Sequence, residues 1–381
     1  MIKAHKIRLH PTEEQNIYFA KAAGTARFVW NWALAEWNRQ HEAGEKPTAL
    51  KLKKQFNEIR RKAFPWTWEV TKNACDQPFL DLGKAWAIYF DGQKNGKRRG
   101  RPKFKTKKRS KPSFYLANDQ FELGDHRLWI PKLGWVNLAE NLRFKGKITG
   151  ARVTKTADWW FVSITVELSD QASEQKPKRV GVDVGLNRLA TLSTGEGFEN
   201  QKFLKTALKK LRQAQQHLSR CKKGSKNREK ARRKVARLHY KITCLRNDVL
   251  HKLTTQIAKS YGIVGIESLH LRGLMKNRCL ARSFADAALG SLLTLLTSKV
   301  THNGGLVVKV DRLFPSSQLC HQCGWRWHDI TLADRLFVCQ NPNCLWQGDR
   351  DCNAATNILK EALRLVGLND QAALGTGSDG A

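Results

Sequence analysis

The sequence predicts an α/β protein of several domains, and three observations carry that expectation. Period-two alternation in residues 113–169 follows a long run of helical periodicity in 11–92. Short apolar strands interleaved with helical stretches then run through 179–310. Four cysteines crowd into the 25 positions from Cys320 to Cys344, a density that suits a metal-bound insert. At about 150 residues per domain, 381 residues make two or three folded units.

Taken in chain order, residues 1–10 alternate apolar and basic side chains (Ile2, Ala4, Ile7, Leu9) and predict one short strand. From Pro11 the period turns helical and stays so to residue 92, interrupted by the loop 41–48. Phe28, Trp32 and Ala35 are expected on one apolar stripe, and Leu80, Lys84, Ala85, Ile88 and Tyr89 on another helix. Trp30, Trp32 and Trp37 read as core rather than as platforms for bases, because an aromatic stripe at helical spacing buries a large apolar area. The tract 94–111 then holds eleven cations in eighteen residues and no acid. Its Gly and Pro punctuation and the interleaved Phe104 suit a loop laid along a phosphate backbone. That nominates Lys97, Arg98, Arg99, Arg101, Lys103, Lys105, Lys107, Lys108 and Arg109 as nucleic-acid contacts.

Segments 114–116, 127–130, 148–154 and 159–167 predict a small β-barrel or open sheet, completed by the N-terminal strand. The helical region 11–92 is then an insertion into a β-domain. A polar linker at 170–178 leads to a further unit. There 179–185 reads as a buried strand, 188–193 as its hairpin partner, and 203–257 as a very basic helical stretch. Strands at 261–267 and 305–310 bracket a helix at 284–302. An amphipathic helix at 353–366 precedes a tail, from 367, that is expected to be disordered.

Lys and Arg number 68 against 33 Asp and Glu, a formal charge of +35. Such self-repulsion calls for a polyanionic partner, and 41% hydrophobic residues exclude an all-disordered basic tail. Nucleic acid is the leading partner. No run approaches the ~18 apolar residues of a spanning helix, so no membrane is expected. The first residues lack the apolar core of a signal peptide, and nine cysteines with one tight cluster fit a reducing compartment. A cytoplasmic location is therefore expected.

Three acids stand out. Asp183 lies between Val182 and Val184 in a glycine-flanked apolar strand, where a lone carboxylate is seldom buried without a cation. Glu267 ends the run Ile263, Val264, Gly265, Ile266 in the same way, and Asp351 sits at a helix start. Taken singly, Asp183 could be satisfied by backbone donors, Glu267 could merely end its strand, and Asp351 could be a helix cap. Together they can converge on one sheet edge, and that much negative charge calls for divalent cations. All-oxygen ligands favour Mg²⁺ or Mn²⁺. Two such ions roughly 3.5–4 Å apart would serve hydrolysis of a phosphodiester. Cys320-x2-Cys323 and Cys339-x4-Cys344 supply the four thiolates of one structural Zn²⁺, with His321 and His328 as conceivable substitutes.

These motifs support a specific resemblance. Gly-Val-Asp-Val-Gly-Leu-Asn-Arg-Leu-Ala-Thr-Leu-Ser at 181–193 resembles the first catalytic strand of the TnpB family, transposon-encoded RNA-guided DNA endonucleases related to compact type V CRISPR effectors. Val-Gly-Ile-Glu-Ser-Leu at 264–269, Pro-Ser-Ser-Gln-Leu-Cys-His-Gln-Cys-Gly at 315–324 and Asp-Arg-Asp-Cys-Asn-Ala-Ala-Thr-Asn-Ile at 349–358 resemble its second motif, zinc ribbon and third motif. Gly-Arg-Pro-Lys-Phe-Lys at 100–105 and Phe-Val-Trp-Asn-Trp-Ala-Leu at 28–34 fit family patterns too, so the resemblance spans residues 2–365 with order preserved.

The resemblance implies a RuvC-type nuclease of RNase H-like fold in 178–313 and 349–366, with a zinc ribbon inserted at 314–348. Asp183, Glu267 and Asp351 would hold the catalytic ions, and Cys320, Cys323, Cys339 and Cys344 the zinc. A β-barrel wedge domain in 1–10 and 93–170 would carry a helical recognition insertion in 11–92. The implied partners are a guide RNA and a double-stranded DNA target, with one protein per guide. Residues 271–289 would be a lid over the acids, or a basic loop with no gating role. The chain departs from the family where Leu345 replaces the glycine after the second cysteine pair, where that pair is spaced by four residues, and at Gly348, where a His often stands. The alternatives are a guide-dependent repressor without nuclease activity, a guide-free DNA-binding protein, and a CRISPR effector.

Overall fold

Residues 2–97, 99–169, 176–331 and 333–368 are described by a computed structural model, in which the chain divides into two units, Met1–Asp170 and Gln171–Ala381. Arg98, most of the expected 170–178 linker and the tail from 369 lie outside the described residues.

In the first unit, β1 (Ile2–His10) buries His5, Ile7 and Leu9, so Ile2 and Ala4 fall on the outer face. A capping box at Thr12 and Gln15 starts α1 (Glu13–Glu42). With α2 (Ala49–Ala63) and α3 (Asn73–Lys94) it encloses an aromatic core that includes Trp30, Trp37, Phe56, Phe79 and Trp86. The tryptophans are core, as expected; Trp37 and Trp86 stack with centroids 5.4 Å apart. The stripe expected at Phe28, Trp32 and Ala35 is out of phase, since Ala35 is exposed and Val29, Ala33 and Leu34 are buried, and α3 likewise buries one phase only. Cys75, Phe79, Leu82, Trp86 and Tyr89 are buried, whereas Leu80 and Ile88 are exposed. Adjacent apolar residues allow either phase, and packing against α1 and α2 selects one.

The strands β2 (Ser113–Ala117), β3 (Glu122–Gly124), β4 (Arg127–Ile130), β5 (Gly134–Leu138), β6 (Lys147–Thr156) and β7 (Trp159–Glu167) join β1 in one antiparallel sheet. Its order, β2-β6-β7-β1-β5-β4-β3, places the N-terminal strand in the middle. Phe114 and Leu116 from one end share a core with Leu128 and Ile130 near the other, so the sheet curls around a single interior. The end strands β2 and β3 are not hydrogen-bonded to each other, so the arrangement observed is the open sheet. β3 and β5 are strands beyond those expected, and Gly134, at φ 82°, begins β5.

The second unit opens with an antiparallel meander of β8 (Arg179–Asp183), β9 (Arg188–Leu192) and β10 (Gly197–Glu199). The basic stretch is two helices, α4 (Phe203–Arg220) and α5 (Lys226–Ser260), the second capped by Ser225. After β11 (Ile263–Glu267) come α6 (Leu271–Leu274), α7 (Ala281–Ala287), α8 (Leu289–His302) and β12 (Leu306–Val310). A ribbon with β13 (Leu336–Val338) and β14 (Gln347–Asp349) precedes α9 (Arg350–Leu365). The five-stranded sheet runs β10-β9-β8-β11-β12, with β8, β11 and β12 parallel. Leu250, Leu253 and Ile257 of α5 and Leu292, Leu296 and Val300 of α8 share one core with β8, β9 and β11. Ile358 and Ala362 of α9 form another with Val308 and Val310.

Two glycines set how closely α9 approaches. Gly181 and Gly265 are cross-strand partners on β8 and β11. A Cβ on Gly181 would lie 1.9 Å from the Ala355 carbonyl oxygen, and one on Gly265 would lie 2.8 Å from the Ala362 Cβ. The helix backbone occupies the space that side chains would fill.

Candidate active site

The positions of the three acids follow from that contact. Asp183 lies two residues beyond Gly181, about 6.6 Å along the strand. Asp351 lies four residues before Ala355, about 6 Å back along the helix. Measured from one contact point, both acids reach the same edge. Ile266 pairs with Val182 in the parallel register, which sets Glu267 beside Asp183. All three line one pocket of about 360 Å³.

Asp349 and Asp351 divide two tasks. Asp349 is the helix cap, accepting the Cys352 N–H at 2.9 Å and an Arg188 Nη1 donor at 3.3 Å. Asp351, inside the first turn, is left to face the pocket. It accepts from Arg350 Nη2 at 3.2 Å and has Arg335 Nη1 at 3.9 Å. Burial, with Glu267 and then Asp351 as neighbouring like charges, pushes Asp183 from the ordinary 3.8 up to about 7. Glu267 accepts a hydrogen bond from the buried Ser316 hydroxyl. The donor set is all hard oxygen, the chemistry that suits Mg²⁺ or Mn²⁺. The acids are nonetheless less tightly drawn than the cysteines. Among the described residues, Cys320, Cys323, Cys339 and Cys344 are the one set of three or more potential ligands whose atoms all lie within 4.8 Å of one another.

Leu274, Leu280, Phe284 and Leu289 line the acid pocket, so the 271–289 segment forms part of its wall through α6, α7 and the start of α8. Ser316 and Arg350 are pocket residues that the sequence reading did not single out, and Arg335 lines the pocket as well. Only Arg350, set between two acids, carried a visible signal.

The four cysteine sulphurs fit zinc. Cys320 and Cys344 sulphurs are 3.8 Å apart and those of Cys323 and Cys339 3.5 Å. Tetrahedral Zn–S bonds of about 2.3 Å place sulphurs about 3.8 Å apart. His321 and His328 are not in the cluster; the His321 ring nitrogen Nδ1 pairs with Asn353 Oδ1 at 3.0 Å. The wide second knuckle keeps the hairpin closure of the first. Cys320 N–H donates to Trp325 O and Cys339 N–H to Trp346 O, each at 2.8 Å, so two extra residues sit inside the second turn. Gly324 and Leu345 follow the second cysteine of each pair, and both are left-handed, at φ 76° and 48°. The departure at Leu345 therefore falls where the backbone favours glycine.

In the first unit, Lys97, Arg99, Arg101, Lys103, Lys107, Lys108 and Arg109 are exposed. Lys105 is not: its amino group sits 3.6 Å from the Trp30 ring centre, and burial lowers its pKa. Asn31 exchanges two hydrogen bonds with its backbone, at 2.8 and 2.9 Å. Lys105 thus anchors the loop to α1. Arg98 lies outside the described residues.

Comparison with known proteins places these features. Residues 163–278 match a family described as "Probable transposase", 1–46 one described as "Helix-turn-helix domain", and 290–358 one described as "Cas12f1-like, TNB domain". The second description does not fit the local structure, in which one continuous helix follows β1. A Streptomyces pristinaespiralis protein named "Putative RNA-guided DNA endonuclease" is 34% identical, over 97% of this chain and 91% of the relative. The Escherichia coli (strain K12) protein "Putative RNA-guided DNA endonuclease InsQ" is 30% identical, over 94% and 92%. A solved chain from a "Cas12f1-sgRNA-target DNA complex" shares the fold, with TM-score 0.59 and 13% identity over 94% of this chain and 98% of that one. Among the described residues, no helix is long and apolar enough to cross a membrane.

Two predictions follow from this geometry. Replacing Leu345 by Gly should stabilise the zinc-loaded protein by about 1 kcal/mol, because an exposed side chain is lost and left-handed strain relieved. Slower zinc transfer to a chelator is the expected readout, and unchanged or faster transfer would contradict it. The raised Asp183 pKa makes a stability contribution fully present below about pH 4 and lost as the pH climbs to about 7. In buffer without added Mg²⁺ or Mn²⁺, Asp183→Asn should therefore melt a few degrees above the parent at pH 8 and match it near pH 4. A variant less stable than the parent at pH 8 would refute the assignment.

Proposed function

The chain belongs to the TnpB family, and on that premise we propose that it is a transposon-associated RNA-guided DNA endonuclease whose acid pocket hydrolyses phosphodiester bonds in target DNA. The observation that carries this reading is the convergence of Asp183, Glu267 and Asp351 in one pocket at one sheet edge. In this reading the second unit is a RuvC-type nuclease of RNase H-like fold, and its parallel β8, β11 and β12 with α9 packed across them support that assignment.

Asp183, Glu267 and Asp351 would hold two Mg²⁺ or Mn²⁺ ions. Such ions, when bound, supply an activated water and charge stabilisation on the leaving oxygen. The protein's own part is to aim three carboxylates at one point and to close one side with Leu274, Leu280 and Phe284. Arg335 and Arg350 add positive charge beside Asp351, where a phosphate would approach. The cysteine cluster would hold one structural zinc, and the ribbon backbone pairs directly with the start of α9, Arg350 N–H donating to Arg335 O at 2.9 Å.

The first unit is the wedge and recognition part: the curled sheet as wedge in 1–10 and 93–170, the helices in 11–92 as recognition insertion. Its exposed Lys97, Arg99, Arg101, Lys103, Lys107, Lys108 and Arg109 would lie along guide or target phosphates. Specificity would come from base pairing between a guide RNA and one DNA strand, with one protein per guide.

The test is direct. The purified chain should carry one discrete RNA and, with Mg²⁺, cut DNA matching that RNA beside the correct flanking motif. Asp183→Ala should reduce cutting to the level of a protein-free control while RNA retention is unchanged. Cutting that survives the substitution, or protein that carries no discrete RNA, would refute the reading.

A further inference from the structure

The nine-residue stretch from Asp311 to Leu319 links β12 to the first zinc cysteine, and one of its residues touches the acid site. Ser316 is 5% exposed, and its hydroxyl donates to Glu267 Oε1. That contact occupies one carboxylate oxygen of Glu267 and leaves the other for the pocket. A glutamate has three side-chain torsions, so a fixed donor on one oxygen restricts where the other points.

Ser316 is itself clamped by α9. Asn357, also 5% exposed, donates both amide protons, to Ser316 O at 2.8 Å and Leu319 O at 2.7 Å. One turn earlier Asn353, 1% exposed, donates to Leu319 O at 2.6 Å and accepts the His321 N–H at 2.9 Å. Lys360 Nζ reaches His321 O at 2.7 Å. A ladder on one face of α9 thus grips the chain from Ser316 to His321, on either side of Cys320. The same helix carries Asp351 at its start and approaches Gly181 and Gly265.

We infer that Ser316 is a positioning residue for Glu267, set in place by Asn357, so that α9 orients two of the three acids: Asp351 directly and Glu267 through Asn357 and Ser316. The inference rests on the reading of the acids as a divalent-cation site and adds two residues that act on it without touching the substrate. Hydrogen bonds to a ligating carboxylate fix its orientation, and their loss costs roughly 10–100-fold in metal affinity.

The test uses Mn²⁺ alone as probe, with the full-length, zinc-loaded protein, and reads affinity by calorimetry or the free-Mn²⁺ spin-resonance signal. Ser316→Ala should weaken Mn²⁺ binding by roughly 10-fold or more with zinc content unchanged, and Ser316→Thr, which keeps the hydroxyl, should restore most of it. Asn357→Ala should weaken it in the same direction. In a Glu267→Gln background, Ser316→Ala should add little, because the two side chains act as one unit. Parental affinity in Ser316→Ala, or equal weakening in the Ala and Thr variants, overturns the inference and leaves the metal site standing. Failure of the parent to bind Mn²⁺ at all overturns the metal site and the inference together.

Discussion

The second unit depends on one close contact, that of helix α9 with the backbone of β8 and β11. Packing a helix on a sheet usually sets the two backbones about a side chain apart, and here Gly181 and Gly265 remove that spacer from adjacent strands. The consequence is geometric. The acids two residues beyond these glycines, Asp183 and Glu267, leave the sheet at the same level as Asp351 in the first turn of α9. Asp349 caps the helix, which frees Asp351 for the pocket. Three acids are gathered by backbone packing, and burial first, then the neighbouring Glu267 and Asp351, displace the Asp183 pKa upward.

The cysteine ribbon is tied to the same helix from both sides. Its last strand runs directly into α9, and the segment leading to its first cysteine is gripped by Asn353 and Asn357. The ribbon is therefore part of the scaffold that aims the acids. A soft four-sulphur set and a hard three-carboxylate set lie at opposite ends of the metal-preference scale, so the two sites would not compete for one ion although α9 connects them. Within the second unit, α4 and α5 carry much of the excess positive charge, while Arg335 and Arg350 lie beside Asp351.

Much of this was legible in the sequence for identifiable reasons. Asp183 and Glu267 stood out because a carboxylate after an apolar, glycine-containing run is improbable on burial grounds alone. The cysteine spacing picked out the four sulphurs that the fold gathers within 4.8 Å of one another. What the sequence could not convey was any relation formed only by folding. The burial phase of α3 hinges on its neighbours, which leave Leu80 and Ile88 exposed. Lys105 matched its exposed neighbours in the basic tract, yet Trp30 and Asn31 draw it inward. Ser316 resembles any loop serine until Glu267, 49 positions away, is placed against it. Whether the first sheet is open or closed was likewise beyond reach of period-two alternation, which reports strands but not the pairing of end strands; the end strands β2 and β3 do not pair.

The central claim is that the helix-to-sheet distance at the paired glycines determines whether the acids can share cations. The most direct measurement is the Mn²⁺ affinity of Gly265→Ala, whose new Cβ would meet the Ala362 Cβ at 2.8 Å and the Ile358 carbonyl oxygen at 3.1 Å and so push α9 away from the sheet. The account predicts a folded, zinc-containing protein whose Mn²⁺ binding is markedly weakened. A folded Gly265→Ala protein that binds Mn²⁺ as tightly as the parent would contradict it.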